Sequence, residues 1–265
     1  MFFQDAVRCR YSKPQLREVI CQVRFPAILS IDSQEPAAFQ EAVRGVFPRY
    51  APRREQPGPK ITVSDGEMRV EKPQPVTNYN FVSADSRWKL NLTRDFISLS
   101  TVAYGGWGDF ARQLDQPLAS FIRIYRPAFF QRIGLRYVNI FSRRELDLEG
   151  TPWRELFAPH CLGVLAHEDI DETETTKASV EFDTPLDSSC RAKVHAGPGF
   201  VKNKAPGAAA DTECKFILDL DLYMGGETPP MLAAGALETL HSHTPSLFRG
   251  SITDRLHEAM GPAEA

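Results

Sequence analysis

Phe130-Gln131-Arg132-Ile133-Gly134-Leu135-Arg136-Tyr137-Val138-Asn139-Ile140-Phe141 is the stretch at which the pattern of this chain starts over. Its alternation predicts a strand, with Leu135, Tyr137 and Asn139 on one face and Gly134, Arg136 and Val138 on the other. Upstream, Arg17 to Phe25 alternates in the same way and predicts a half-buried strand. Asp32 or Ser33 then caps a helix carrying Ala38, Phe39, Ala42, Val43, Val46 and Phe47 at helical spacing, stopped by Pro48. The stretch from Pro48 to Lys60, with four prolines counting Pro48 and several arginines, predicts a loop. Strands are expected around Ile61–Val70, Asn78–Ala84, Arg87–Thr93 and Phe96–Ala103, with turns at Asp65-Gly66 and Asp85-Ser86. After Gly105-Gly106 a helical stripe runs from Trp107 through Phe110, Leu114, Leu118 and Phe121 to Tyr125, with a kink or break expected at Pro117.

Downstream of residue 141 the same order returns. Thr151 caps a short helix through Trp153, Leu156 and Phe157, and an acidic loop covers Glu168–Glu174. Strands follow near Ala178–Phe182, Cys190–His195 and Phe216–Tyr223, with a Gly/Pro/Ala-rich loop at Gly197–Ala210. A helix is expected over Met231–His241, and Ser251 or Thr253 caps a last short one. Phe96-Ile97 before Gly105-Gly106 recurs as Phe216-Ile217 before Gly225-Gly226, each time ahead of a helix. The expectation is an α+β fold of two duplicated β-α-β4-α halves, residues 1–127 and 128–265, packed as one unit. Curved antiparallel sheets would wrap long helices in the manner of the TATA-box-binding-protein-like, or helix-grip, architecture. Such a fold does not by itself imply DNA binding.

With 265 residues, 42% hydrophobic and 25% charged, the chain has the composition of a globular protein. A net charge of −3 supplies no global field for nucleic acid or an anionic membrane. Cys9, Cys21, Cys161, Cys190 and Cys214 stand singly, which fits a reducing compartment better than a disulfide framework. The opening MFFQDAVRCR has no signal-peptide pattern, and no apolar run is long enough for a membrane helix, so a cytoplasmic protein without membrane contact is expected.

Three strings together resemble one family. They are Pro14-x-Leu16-x-Glu18-Val19 with Arg24-Phe25, the central Gly134-Leu135-Arg136-Tyr137-Val138-Asn139, and Phe248 with Ile252-Thr253-Asp254. In order and spacing they are similar to a sporadically distributed family of bacterial proteins of about this length. No chemistry is assigned to that family; its patchy distribution implies an accessory role, such as defence.

The candidate site residues come from two strands. Arg132 and Arg136 can form a paired anion site, with Tyr137 and Asn139 beside them, or Arg136 can belong to a structural ion pair. Asp219 and Asp221 point from one face, opposite Leu218, Leu220 and Leu222. They can hold a divalent metal, or act as the partners of the arginines. His241 and His243 diverge on a helix, and His160-Cys161 with His167 and Glu168 fits no standard zinc spacing. The segment Arg44 to Lys60, with Arg49, Arg53 and Arg54 around Phe47 and Tyr50, offers a nucleic-acid contact. No phosphate-binding glycine loop or serine-hydrolase elbow occurs.

The reading is therefore a non-catalytic binding module with a protein partner, and it assigns no cofactor, no metal and no catalytic residue. The alternatives are a metal-dependent enzyme using Asp219 and Asp221 on nucleic acid or a phosphorylated ligand, and a small-molecule carrier.

Overall fold

The computed structural model describes residues 6, 8–56, 60–64, 67–71, 75–201 and 211–264. The chain runs through β1 (Cys9–Tyr11), β2 (Leu16–Arg24), α1 (Leu29–Ser33), α2 (Ala37–Val43), β3 (Arg49–Glu55), β4 (Lys60–Ser64), β5 (Glu67–Glu71), β6 (Val76–Val82), β7 (Trp88–Leu92), β8 (Phe96–Thr101) and α3 (Trp107–Tyr125). It continues through β9 (Phe130–Phe141), α4 (Pro159–Leu162), β10 (Val180–Pro185), β11 (Cys190–Phe200), β12 (Cys214–Thr228), α5 (Ala233–Ser251), α6 (Asp254–Ala259) and β13 (Pro262–Glu264). Helices and antiparallel strands together make an α+β protein. None of its described helices is long and apolar enough to cross a membrane.

The chain divides into two compact units, the first made of Ile20–Ile133 with Gly226–Ala233. The second comprises Met1–Val19, Gly134–Gly225 and Ala234–Ala265, so β2 and β9 each run through a boundary.

In the first unit the strand order is β2-β8-β7-β6-β3. Tyr79, Phe81, Leu90, Leu92, Ile97 and Leu99 are buried there, as are Phe110, Leu114, Leu118 and Phe121 of the α3 stripe. Phe25 meets Phe121 with ring centroids 4.6 Å apart, and Phe39 meets Phe81 edge-on at 5.5 Å. α3 runs through Pro117 as one helix, not two. The ring forfeits one backbone hydrogen bond, but it lies buried in the apolar stripe, where packing outweighs that loss. The expected loop after Pro48 is instead an edge strand, β3, antiparallel to β6. An edge strand pairs on one side only, so it tolerates Pro52, and exposed Arg49, Arg53 and Arg54 guard it against further pairing. The turn at Asp85-Ser86 forms, with Ser86 at φ 61° and its N–H donating to the Ser83 carbonyl. The Asp65-Gly66 turn lies outside the described residues.

In the second unit the order is β10-β11-β12-β9, with β10 at the edge. Leu218, Leu220 and Leu222 of β12 and Ala192, Val194 and Ala196 of β11 are wholly buried, as period-2 alternation requires. Phe216 stacks on Phe157 at 3.8 Å, and Trp153 packs on Phe216 at 5.3 Å. The expected loop Gly197–Ala210 is corrected at its start, where β11 continues to Phe200; residues 202–210 lie outside the described residues. α5 likewise extends past His241 to Ser251 through Pro245. Thr253 caps α6, its hydroxyl accepting from the Leu256 N–H.

Candidate functional site

The solvent face of the second unit's sheet carries charged side chains of both signs across all four of its strands. On β11 the outward residues Arg191, Lys193 and His195 alternate with buried Ala192, Val194 and Ala196. Register sets Lys193 opposite Asp221 and His195 opposite Asp219 on β12, and Lys193 opposite Asp183 on β10. By strand, the face is acidic on β10 (Glu181, Asp183), basic on β11, acidic on β12 (Asp219, Asp221) and basic on β9 (Arg136).

Each row engages its neighbour. Arg136 grips Asp219 with both arms of its fork: Nε donates to Oδ1 at 2.7 Å, and Nη2 donates to Oδ2. That bond is the main cause of an Arg136 pKa above its ordinary value, with the Asp221 charge adding to it. Lys193 Nζ lies 2.9 Å from Glu181 Oε1, which raises the lysine and lowers the carboxyl. Arg191 Nε donates to Asp183 Oδ1 at 2.8 Å, and the Tyr223 hydroxyl donates to Asp183 Oδ2 at 2.7 Å. Burial pushes Asp183 up, but these bonds outweigh it and hold the carboxyl below its usual range.

The six residues singled out in the sequence are distributed over both faces. Arg136, Asp219 and Asp221 share the open face, and Asp219 is the partner of Arg136. Tyr137 and Asn139 point inward: the Tyr137 hydroxyl meets His241 Nδ1 of α5 at 2.8 Å, and Asn139 Nδ2 donates to the carbonyls of Tyr137 and Leu218. Arg132 belongs to the first unit and is half-buried. Among the described residues, no third His, Cys or acidic donor joins Asp219 and Asp221 within 4.8 Å, nor are His160, Cys161, His167 and Glu168 so grouped.

No family model and no curated protein matches the chain.

The basic segment has lost its aromatic half to the core. Phe47 is buried and Tyr50 stacks on Tyr79 at 6.4 Å, so neither ring is presented to a base. Arg49 donates to Ser86 Oγ at 2.7 Å and Arg44 pairs with Glu41, leaving a basic but ring-free edge. A depression of about 340 Å³ lies at the start of α3, lined by Trp88, Ala103, Gly105, Asp109, Arg112 and Gln113. Its lining is mixed, with Trp88 and Ala103 beside the Arg112–Asp109 pair.

Sequence reading missed Glu181, Asp183, Arg191, Lys193 and Tyr223 as members of this face. Their strands were legible; the register that lays charge against charge was not.

The Arg136–Asp219 pair makes a direct prediction. Asp219 keeps only 12% of its side-chain surface exposed, whereas Arg136 keeps 47%. Arg136→Ala should destabilise by about 1 to 2 kcal/mol, because the carboxylate loses its two donors inside the sheet. Adding Asp219→Asn should return about half of that in urea denaturation. Strict additivity of the two changes would show that the pair is uncoupled.

Proposed function

We propose that the chain is a non-catalytic binding or interaction module whose charged sheet face receives a protein partner. The observation that supports this most is the acidic, basic, acidic, basic succession of rows on β10, β11, β12 and β9. Its carboxylates are held by neighbouring cations instead of converging on one reacting centre. Rows of alternating sign offer a partner a specific pattern while attracting neither nucleic acid nor membrane in bulk. The resemblance of the opening, central and C-terminal strings supports an accessory bacterial system, defence among them, as the setting.

The same proposal takes the molecule as two duplicated halves of helix-grip type, although among the described residues three strands, not four, lie between α4 and α5. Supporting it, α3 and α5 are each 19 residues long and each carries one internal proline, Pro117 and Pro245. Both follow a Gly-Gly pair, Gly105-Gly106 and Gly225-Gly226. The metal-dependent alternative has less support, since the Arg136 fork already occupies both oxygens of Asp219.

The test is an affinity capture from the native host, comparing wild type with Arg191→Gln/Lys193→Gln. Both side chains are close to half exposed and neutral glutamine adds no like charge to the acidic rows, so the change should leave the fold intact. The expected result is a stoichiometric protein on wild type that is lost from the variant at an unchanged melting temperature. Equal capture by both would sink the proposal, and recovered nucleic acid would redirect it to the β3 edge.

A further inference from the structure

A second group of side chains gathers where the β10–β11 hairpin tip reaches α5. Donor atoms of Asp187, Cys190 and His243 all lie within 4.8 Å of one another. Two of them come from one tight turn. Asp187 Oδ1 accepts from the Ser189 N–H at 2.6 Å, the Cys190 N–H at 2.7 Å and the Ser189 hydroxyl at 3.0 Å. The Leu186 N–H closes the turn on the Cys190 carbonyl at 2.8 Å. These bonds commit one carboxylate oxygen to the backbone and fix the direction of the other. That second oxygen, Oδ2, stands 2.8 Å from His243 Nε2.

We propose that Asp187, Cys190 and His243 form a binding site for a borderline-soft divalent cation, with zinc the best match. The set brings a thiolate sulfur, an imidazole nitrogen and a carboxylate oxygen, a mixed S/N/O combination that suits zinc and excludes magnesium or calcium. A tetrahedral zinc needs its donors about 3.3 to 3.7 Å apart, given bonds of about 2.0 to 2.3 Å. The oxygen–nitrogen pair would open by about half an ångström and the sulfur would close by less than about 1.5 Å. The hydrogen bonds that hold Asp187 Oδ1 correspond to the outer contacts that orient a ligating carboxylate. Cys190 is buried, whereas Asp187 and His243 retain 33% and 26% of their side-chain surface, so the fourth position faces solvent.

Nothing in a standard zinc spacing announced these residues. Asp187-x-x-Cys190 is ordinary turn chemistry, and His243 lies more than fifty residues further on. His241, two residues before it, turns inward to Tyr137, as the divergence of i and i+2 on a helix requires. The site would staple the hairpin tip to α5 by coordination in place of one hydrogen bond.

Chelator-treated full-length protein titrated with Co²⁺ tests this. Expected are one equivalent bound, a thiolate-to-cobalt charge-transfer band in the near ultraviolet, visible bands of tetrahedral type, and displacement by Zn²⁺. Cys190→Ser should abolish the charge-transfer band, and His243→Ala should lose it at the cobalt concentration that saturates wild type. Ser189→Ala should weaken binding, by at most about tenfold, because it removes one of the three donors that orient the carboxylate. Cys161→Ser and Cys214→Ser should leave the spectrum unchanged. Absence of the band from wild type, or its survival in the well-folded His243→Ala protein, overturns the assignment. Its loss in Cys161→Ser or Cys214→Ser with retention in Cys190→Ser overturns it equally.

Discussion

Taking the protein from pH 6.5 towards 4 should remove about 2 to 3 kcal/mol of stability through His241. Burial, with the nearby Arg8 charge adding to it, lowers the His241 pKa from 6.5 to about 4. In that window the folded imidazole is neutral while the unfolded one takes a proton. The unfolded chain binds more protons, so the stabilisation is complete above pH 6.5 and lost as pH falls through the folded value. The ring's Nδ1 is bonded to the Tyr137 hydroxyl, and a charge there would have to be accommodated within a core that includes Leu240 and Leu247. His241→Gln should flatten most of this slope in urea titrations at successive pH values. His160 and His257, also lowered chiefly by burial, add to it, and the lowered carboxylates Glu181 and Asp183 contribute at the acid end of the window. An undiminished slope in the variant would show that His241 is not the group responsible.

Arg143→Ala should cost about 3 kcal/mol, the largest effect of any single charge removal considered. Arg143 Nη1 donates to Glu172 Oε1 at 2.6 Å and to the Thr151 carbonyl at 2.8 Å. Its guanidinium also lies 3.9 Å from the centroid of the Trp153 ring. Glu172 Oε2 in turn accepts from the Trp153 N–H at 2.7 Å. With only 20% and 17% of their side chains exposed, the two charges sit largely outside water. Removing the arginine therefore strands a carboxylate with one donor and uncovers an indole face. Arg143→Lys should recover part of the loss, as a point charge without the fork. Arg143→Met/Glu172→Leu should be more stable than Arg143→Ala alone, because no unpaired charge remains. A loss below about 1 kcal/mol for Arg143→Ala would mean the pair behaves as a surface bridge.

The strands whose one face is buried were legible because burial writes itself into the sequence. Leu218, Leu220 and Leu222 alternate with Asp219 and Asp221, and the Phe110, Leu114, Leu118, Phe121 stripe has the helical period. β3 was not, because an edge strand bearing Pro52 and three arginines carries no apolar alternation. At Pro117, where a kink or a break was expected, the helix does not break: packing of its nineteen residues overrides local propensity. The candidate site was half legible. Arg136 and Asp219 were both picked out, and pairing them was one of the readings, but their separation of 83 residues leaves the choice to the sheet register. Tyr137 and Asn139, neighbours of Arg136 in sequence, go to the opposite face simply because a strand alternates. Glu172, within the acidic loop expected at Glu168–Glu174, is the partner of Arg143, a pairing that no local pattern announces.

The interleaved rows of β10, β11, β12 and β9 also have a kinetic consequence. Charges of opposite sign held within 3 Å of each other cancel beyond a Debye length of roughly 8 to 10 Å, so the face casts little field into solution. A partner would not be drawn in from a distance. Encounter would proceed at the unsteered rate, on the order of 10⁵ to 10⁶ M⁻¹s⁻¹, and would change little with ionic strength. Discrimination would then reside in how long a complex lasts once the rows are in register.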